Sequence, residues 1–153
     1  MTCSFSRVRN TYKFSIDGKL TKGPPLPEGL MGILCGLRYK RANESYQAVV
    51  VGVVQKDSSN RGKTDILEEE ADQWTPGPVL HVRLNEGVMV QVRNTLIVTG
   101  GRYLHSSNEH TLFWALLEEE VTGNLFWRKL NTQASPRKSL AVSFAIPNDY
   151  AAC

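Results

Sequence analysis

Gln47-Ala48-Val49-Val50-Val51-Gly52-Val53, followed by a polar loop with Ser58-Ser59-Asn60, returns 48 positions later. There it reads Thr95-Leu96-Ile97-Val98-Thr99-Gly100-Gly101, followed by a loop with Ser106-Ser107-Asn108. Other matches share nearly the same spacing. Leu67-Glu68-Glu69-Glu70 recurs as Leu117-Glu118-Glu119-Glu120, and Thr21-Lys22-Gly23-Pro24-Pro25-Leu26 as Thr75-Pro76-Gly77-Pro78-Val79-Leu80. Trp74 recurs as Trp127. A period of about 50 residues built from strand patterns predicts four-stranded antiparallel propeller blades.

Working outward, the strands fall into two units. The first has strands near Ile33–Leu37, Gln47–Val54, Thr64–Glu69 and a short one through Gln73-Trp74. The second has Gly87–Val92, a tight turn at Arg93-Asn94, then Thr95–Thr99, Thr111–Leu117 and Leu125–Lys129. Thr11–Ile16 alternates as a half-buried strand does and reads as the end of a preceding blade, with Leu20 in the slot of Trp74 and Trp127. The proline-rich 23–29 stretch cannot sustain a ladder, because proline has no N–H to donate. The expected organisation is a tail at 1–10 and a partial propeller over 11–146. Its blades span about 31–75 and 87–130, a further blade starts at 139–146, and 147–153 is a second tail.

The recurring residues have architectural roles. Gly52, Gly100 and Gly101 are expected to supply positive φ and to remove Cβ atoms where blades crowd. Trp74 and Trp127 are expected to bury large faces between neighbouring blades. The two triple-glutamate runs read as solvated loop charges.

Composition narrows the function classes. Eighteen basic residues are interleaved with fifteen acidic ones for a net charge of +3, without the dense basic stripe of a nucleic-acid binder. No apolar run reaches the roughly 20 residues that span a bilayer, so no membrane partner is expected. The N-terminus has no apolar stretch of signal-peptide length, which reads as cytoplasmic; a piece of a longer secreted protein would be extracellular instead. Two blades and flanking strands are fewer than a closed ring needs, so the chain reads as part of a larger propeller, with self-association through open blade edges expected. Cys35 reads as a buried strand thiol or, with Cys153, as a candidate disulfide pair, and Asn43-Glu44-Ser45 is a glycosylation acceptor pattern. The chain contains no nucleophile elbow, phosphate loop or two-cysteine zinc spacing, so no catalytic residue, metal or cofactor is expected.

Leu96-Ile97-Val98-Thr99-Gly100-Gly101 with downstream Trp127 resembles the kelch-repeat family. Asp72-Gln73-Trp74-Thr75-Pro76-Gly77-Pro78 and the ending Ile146-Pro147-Asn148-Asp149-Tyr150 resemble kelch-type proteins of invertebrates. The chain departs from the family where Gly52-Val53 replaces Gly-Gly and Leu20 replaces Trp. The resemblance implies a non-enzymatic scaffold that binds proteins through rim loops. It also admits a substrate-recognition adaptor of the ubiquitin-ligase type, and a degenerate propeller enzyme as the weakest reading. The loops joining second to third strands, and one blade to the next, should share a rim of net positive charge carrying Lys56, Arg61, Lys63, Arg102, Arg137 and Lys138. An acidic protein segment is the expected partner.

Overall fold

Among the residues described by the computed structural model, ten strands, all paired antiparallel, form two four-stranded sheets and a hairpin. Those residues are 9–14, 17–40, 43–54, 62–82, 85–102 and 113–130. The hairpin joins β1 (Tyr12–Phe14) and β2 (Leu20–Lys22). The first sheet runs in chain order through β3 (Leu30–Lys40), β4 (Ser45–Val54), β5 (Lys63–Glu68) and β6 (Thr75–Pro76). The second repeats that order with β7 (Asn85–Val92), β8 (Thr95–Arg102), β9 (Phe113–Glu118) and β10 (Leu125–Leu130).

The two sheets match strand for strand, as the repeat predicts, with small shifts at their ends. The outermost strand of the first sheet is Thr75–Pro76 rather than Gln73-Trp74, and Pro76 can sit there because that edge of the strand has no described neighbour to receive an N–H. The Arg93-Asn94 turn is present, with Arg93 at φ 53° and its carbonyl accepting from Gln91 Nε2 at 2.8 Å. β3 carries an extra residue between Met31 and Leu34, where Gly32 adopts φ 58°, so this strand bends at a bulge. The start of a further blade at 139–146 lies outside the described residues.

Cross-strand register assigns each residue to a face. Leu34, Gly36, Arg38, Gln47, Val49, Val51, Thr64, Ile66 and Glu68 share one face of the first sheet, here the leading face. Met89, Leu96, Val98, Trp114, Leu116, Glu118 and Trp127 share one face of the second sheet, its trailing face. These two faces pack on each other. Leu34, Val49, Val51, Ile66, Leu96, Val98, Leu116 and Trp127 belong to one buried cluster with Leu80 and Val82. Burying side chains of this size stabilises by about 1.5–3 kcal/mol each. A smaller cluster of Leu26, Leu30 and Val50, with Ile33, Val54 and Trp74 against it, covers part of the first sheet's trailing face.

The hairpin belongs to the same repeat, as its backbone bonds show. Gly23 donates to the Thr11 carbonyl at 2.9 Å, and Gly77 donates to the Thr64 carbonyl at 2.8 Å. Leu26 donates to the Arg9 carbonyl at 2.8 Å, and Leu80 to the Gly62 carbonyl at 3.0 Å. Both leucines are buried beneath the sheet that follows them. A Cβ on Gly23 would lie 2.6 Å from Thr11 Oγ1, and one on Gly77 2.9 Å from Thr64 Cγ2. The glycine of each Gly-Pro turn is thus required by close approach to a threonine on the neighbouring strand.

Candidate interaction surfaces

Each tryptophan at a repeating position reaches back to the preceding unit. Trp127 Nε1 donates to Thr64 Oγ1 at 3.0 Å within the interface between the sheets, where both residues are buried. Trp74 Nε1 donates to the Pro24 carbonyl at 2.9 Å, and the same oxygen accepts from Thr11 Oγ1 at 2.7 Å. The expected burial holds for Trp127, whereas Trp74 is half-buried. Leu20 occupies the corresponding slot on β2 but is 61% exposed, so it does not share that role. Gly52 serves by close approach, not by positive φ: a Cβ there would meet Leu30 Cβ at 2.8 Å. Gly100 and Gly101 lie in β8, with Gly100 opposite Gly87.

A polar cluster ties the sheets together at one end of their interface. Arg38, on the leading face of β3, donates to Gln47 Oε1 at 2.6 Å through Nη1 and pairs with Glu118 of β9 through Nη2. Gln47 Nε2 in turn donates to Glu68 Oε1 at 2.7 Å, and Lys40 Nζ lies 3.6 Å from that oxygen. Glu69 accepts from the Tyr46 amide at 3.1 Å. Glu69 and Glu118 are exposed, as the solvated reading of the glutamate runs expects, and Glu68 is half-buried, but all three carboxylates also meet specific partners. The strands extend to the start of each run and bring those carboxylates against specific donors.

Asp65 is the other charged residue that sequence reasoning passed over. It is 1% exposed on the trailing face of β5, and neither carboxylate oxygen has a hydrogen-bond partner among the described residues. Lys63 Nζ lies 3.7 Å away and is itself 3.2 Å from Glu28. Burial pushes the Asp65 carboxyl above its ordinary range; Lys63 opposes the shift and Glu28 adds to it.

Strand order brings the ends of β4 and β8 and the starts of β5 and β9 to one rim of the packed sheets. The β1–β2 turn lies on the opposite rim with the β5–β6 and β9–β10 loops, so residues 17–19 belong there. Of the six candidate rim cations, Lys63 is engaged with Glu28 and Asp65. Lys56, Arg61, Arg137, Lys138 and the Arg102 side chain lie outside the described residues. Cys35 is exposed rather than buried on the trailing face of β3, and its candidate partner Cys153 is also outside the described residues.

Exposed apolar side chains occur on the other two faces, beside buried Val50, Leu67 and Ala115. On the trailing face of the first sheet, Leu37 is 55% exposed and Tyr46 46%, with Tyr46 paired to the Tyr39 ring at 5.2 Å between centroids. On the leading face of the second sheet, Val92 is 44% exposed and Phe126 39%. No protein-family model matches this chain, and no relative was found among curated proteins.

Proposed function

We propose that this chain is a non-enzymatic protein-interaction module, part of a kelch-type propeller whose positive rim receives an acidic segment of a partner protein. The observation that carries the reading is the repeated clasp. Gly23 on Thr11 and Gly77 on Thr64 make the same bond, and each is followed by a buried leucine under the next sheet. Units joined in this way stack in one direction and display corresponding loops on a common rim. That is the arrangement a loop-based binding scaffold uses. Lys63 is engaged by Glu28, so Lys56, Arg61, Arg102, Arg137 and Lys138 are the cations assigned to contact a partner.

The test uses a fluorescent peptide of about eight acidic residues, with a neutral peptide of equal length as control, read by anisotropy across salt concentrations. Clustered charge steers association and makes it salt-dependent. The acidic peptide should bind more tightly than the neutral one, and the Lys56→Glu, Arg61→Glu, Lys138→Glu triple variant should abolish the difference. Equal binding of both peptides, or no effect of the triple variant, overturns the assignment of this rim.

A further inference from the structure

Asn43-Glu44-Ser45 is the only stretch of this chain with the acceptor pattern for an N-linked glycan. We propose that Asn43, at the tip of the β3–β4 hairpin, is modified there by an oligosaccharide delivered from a polyprenyl pyrophosphate. The assignment does not depend on what the rim cations bind.

Hairpin length gives the first argument. Gln47 and Thr95 open the repeated segment, so their strand partners Arg38 and Val92 are equivalent. In the second sheet the ladder stops at Val92 and Thr95, and Arg93-Asn94 turns the chain. In the first sheet it continues past Arg38 and Gln47 through Tyr39 opposite Tyr46 and Lys40 opposite Ser45. Those added rungs carry the tip about 7 Å further from the sheet. The Tyr39 and Tyr46 rings, 5.2 Å apart between centroids, brace this stem, and the Tyr46 amide donates to Glu69 at 3.1 Å. Beyond it Asn43 is exposed, with Glu44 at φ 53° in the turn. A group as bulky and hydrated as an oligosaccharide needs such a surface position. Because β3 ends and β4 begins here, the tip lies on the rim opposite the end of β4, and a glycan leaves the cationic rim uncovered.

Side-chain chemistry gives the second. Ser45 Oγ donates to Asn43 Oδ1 at 2.8 Å. That bond engages the carboxamide oxygen and not the nitrogen. It draws electron density towards Oδ1, which makes an Nδ2 proton easier to lose. In the transfer Nδ2 bonds to the anomeric carbon of the sugar, and the bond from that carbon to the phosphate oxygen breaks. The pyrophosphate leaves with the electron pair, and a base of the transferase takes the Nδ2 proton. The product is a secondary amide, so the asparagine gains a sugar and no charge.

The test synthesises the full chain behind a cleavable secretory leader, in a cell-free system with microsomes that hold the lipid-linked oligosaccharide. Chain protected from added protease should migrate more slowly on a denaturing gel. Peptide-N-glycosidase should remove the shift and leave an aspartate at position 43, found by peptide mapping. Ser45→Thr should keep the shift, whereas Asn43→Gln and Ser45→Ala should lose it. A protected chain without a shift, or a shift that survives Asn43→Gln, overturns the proposal. The purified glycoprotein and the Asn43→Gln variant should melt at the same temperature, as a tip clear of both sheets requires. A clearly lower melting temperature for the glycoprotein sets the sugar against the strands and also overturns it. Neither readout involves the acidic peptide, so a failure here is distinct from a failure of the rim.

Discussion

Trp127 donates its indole N–H to the hydroxyl of Thr64, 63 positions earlier in the chain and in the other sheet. The bond sits inside the main apolar cluster, where the alternative to a partner is a buried, unsatisfied donor. Truncating the ring by Trp127→Ala should cost about 3–5 kcal/mol in denaturant melts. Thr64→Val keeps the shape but removes the acceptor, and should cost about 1–3 kcal/mol. With Trp127→Phe as the second arm, a double-mutant cycle should show clear coupling. Strict additivity would mean that the hydroxyl and indole do not interact in solution.

Arg38 is the second anchor between the sheets. Removing its charged partner by Glu118→Gln should cost about 1.5–3 kcal/mol, towards the lower end because a third of the Glu118 side chain faces solvent. Replacing both residues with methionine should cost less than either Glu118→Gln or Arg38→Met alone, because no unpaired charge is left behind. Urea titration of the three variants checks the order.

Asp65 predicts a pH dependence opposite to that of a salt-bridged carboxylate. Burial raises its folded-state pKa, so the native chain holds this proton more tightly than the unfolded chain. Stability from this group is present in full below the unfolded pKa, about 3.9, and declines as pH rises through the raised folded value. Asp65→Asn should remove that decline, making the variant more stable than the parent at pH 7 while the two converge near pH 4. Thermal melts across that range decide it, and parallel profiles would show that Asp65 does not titrate abnormally.

Gly36 tests the fit between inner strands. Its alanine variant places a methyl 2.8 Å from Leu96 Cδ2 and 2.9 Å from Met89 Sδ, so it should lose about 1–3 kcal/mol to overpacking. Adding Met89→Ala should recover part of that loss. No recovery would mean that Leu96 alone sets the limit.

The strands, their order and the division into repeating units were readable from periodicity, because alternation and turn residues carry that information locally. The faces were harder to place. The glutamate runs align at 50 positions, but register pairs Ala48 with Leu67 and Leu96 with Leu116, a spacing of 48 on one strand and 49 on the next. That one-residue difference reverses which face a side chain takes. It is why Glu68 and Glu118, equivalent in the sequence alignment, enter the Arg38 cluster from different sheets. Arg38 and Asp65 had no local signature, since a polar residue on an alternating strand looks solvent-facing until its neighbours are known. The Thr11 and Thr64 clasps were in principle legible as a threonine 12 or 13 positions ahead of each Gly-Pro.

Both tryptophan anchors point backwards along the chain, and this bears on how the protein is made. Pro24 precedes Trp74 by 50 positions and Thr64 precedes Trp127 by 63, so each acceptor is synthesised before its donor. At about 5–20 residues per second, the wait between the two is a matter of seconds. Each donor therefore meets an acceptor already synthesised as it leaves the ribosome, while the first sheet's leading face stays uncovered until the second sheet follows. Assembly in this architecture has a direction, and it is the direction of translation.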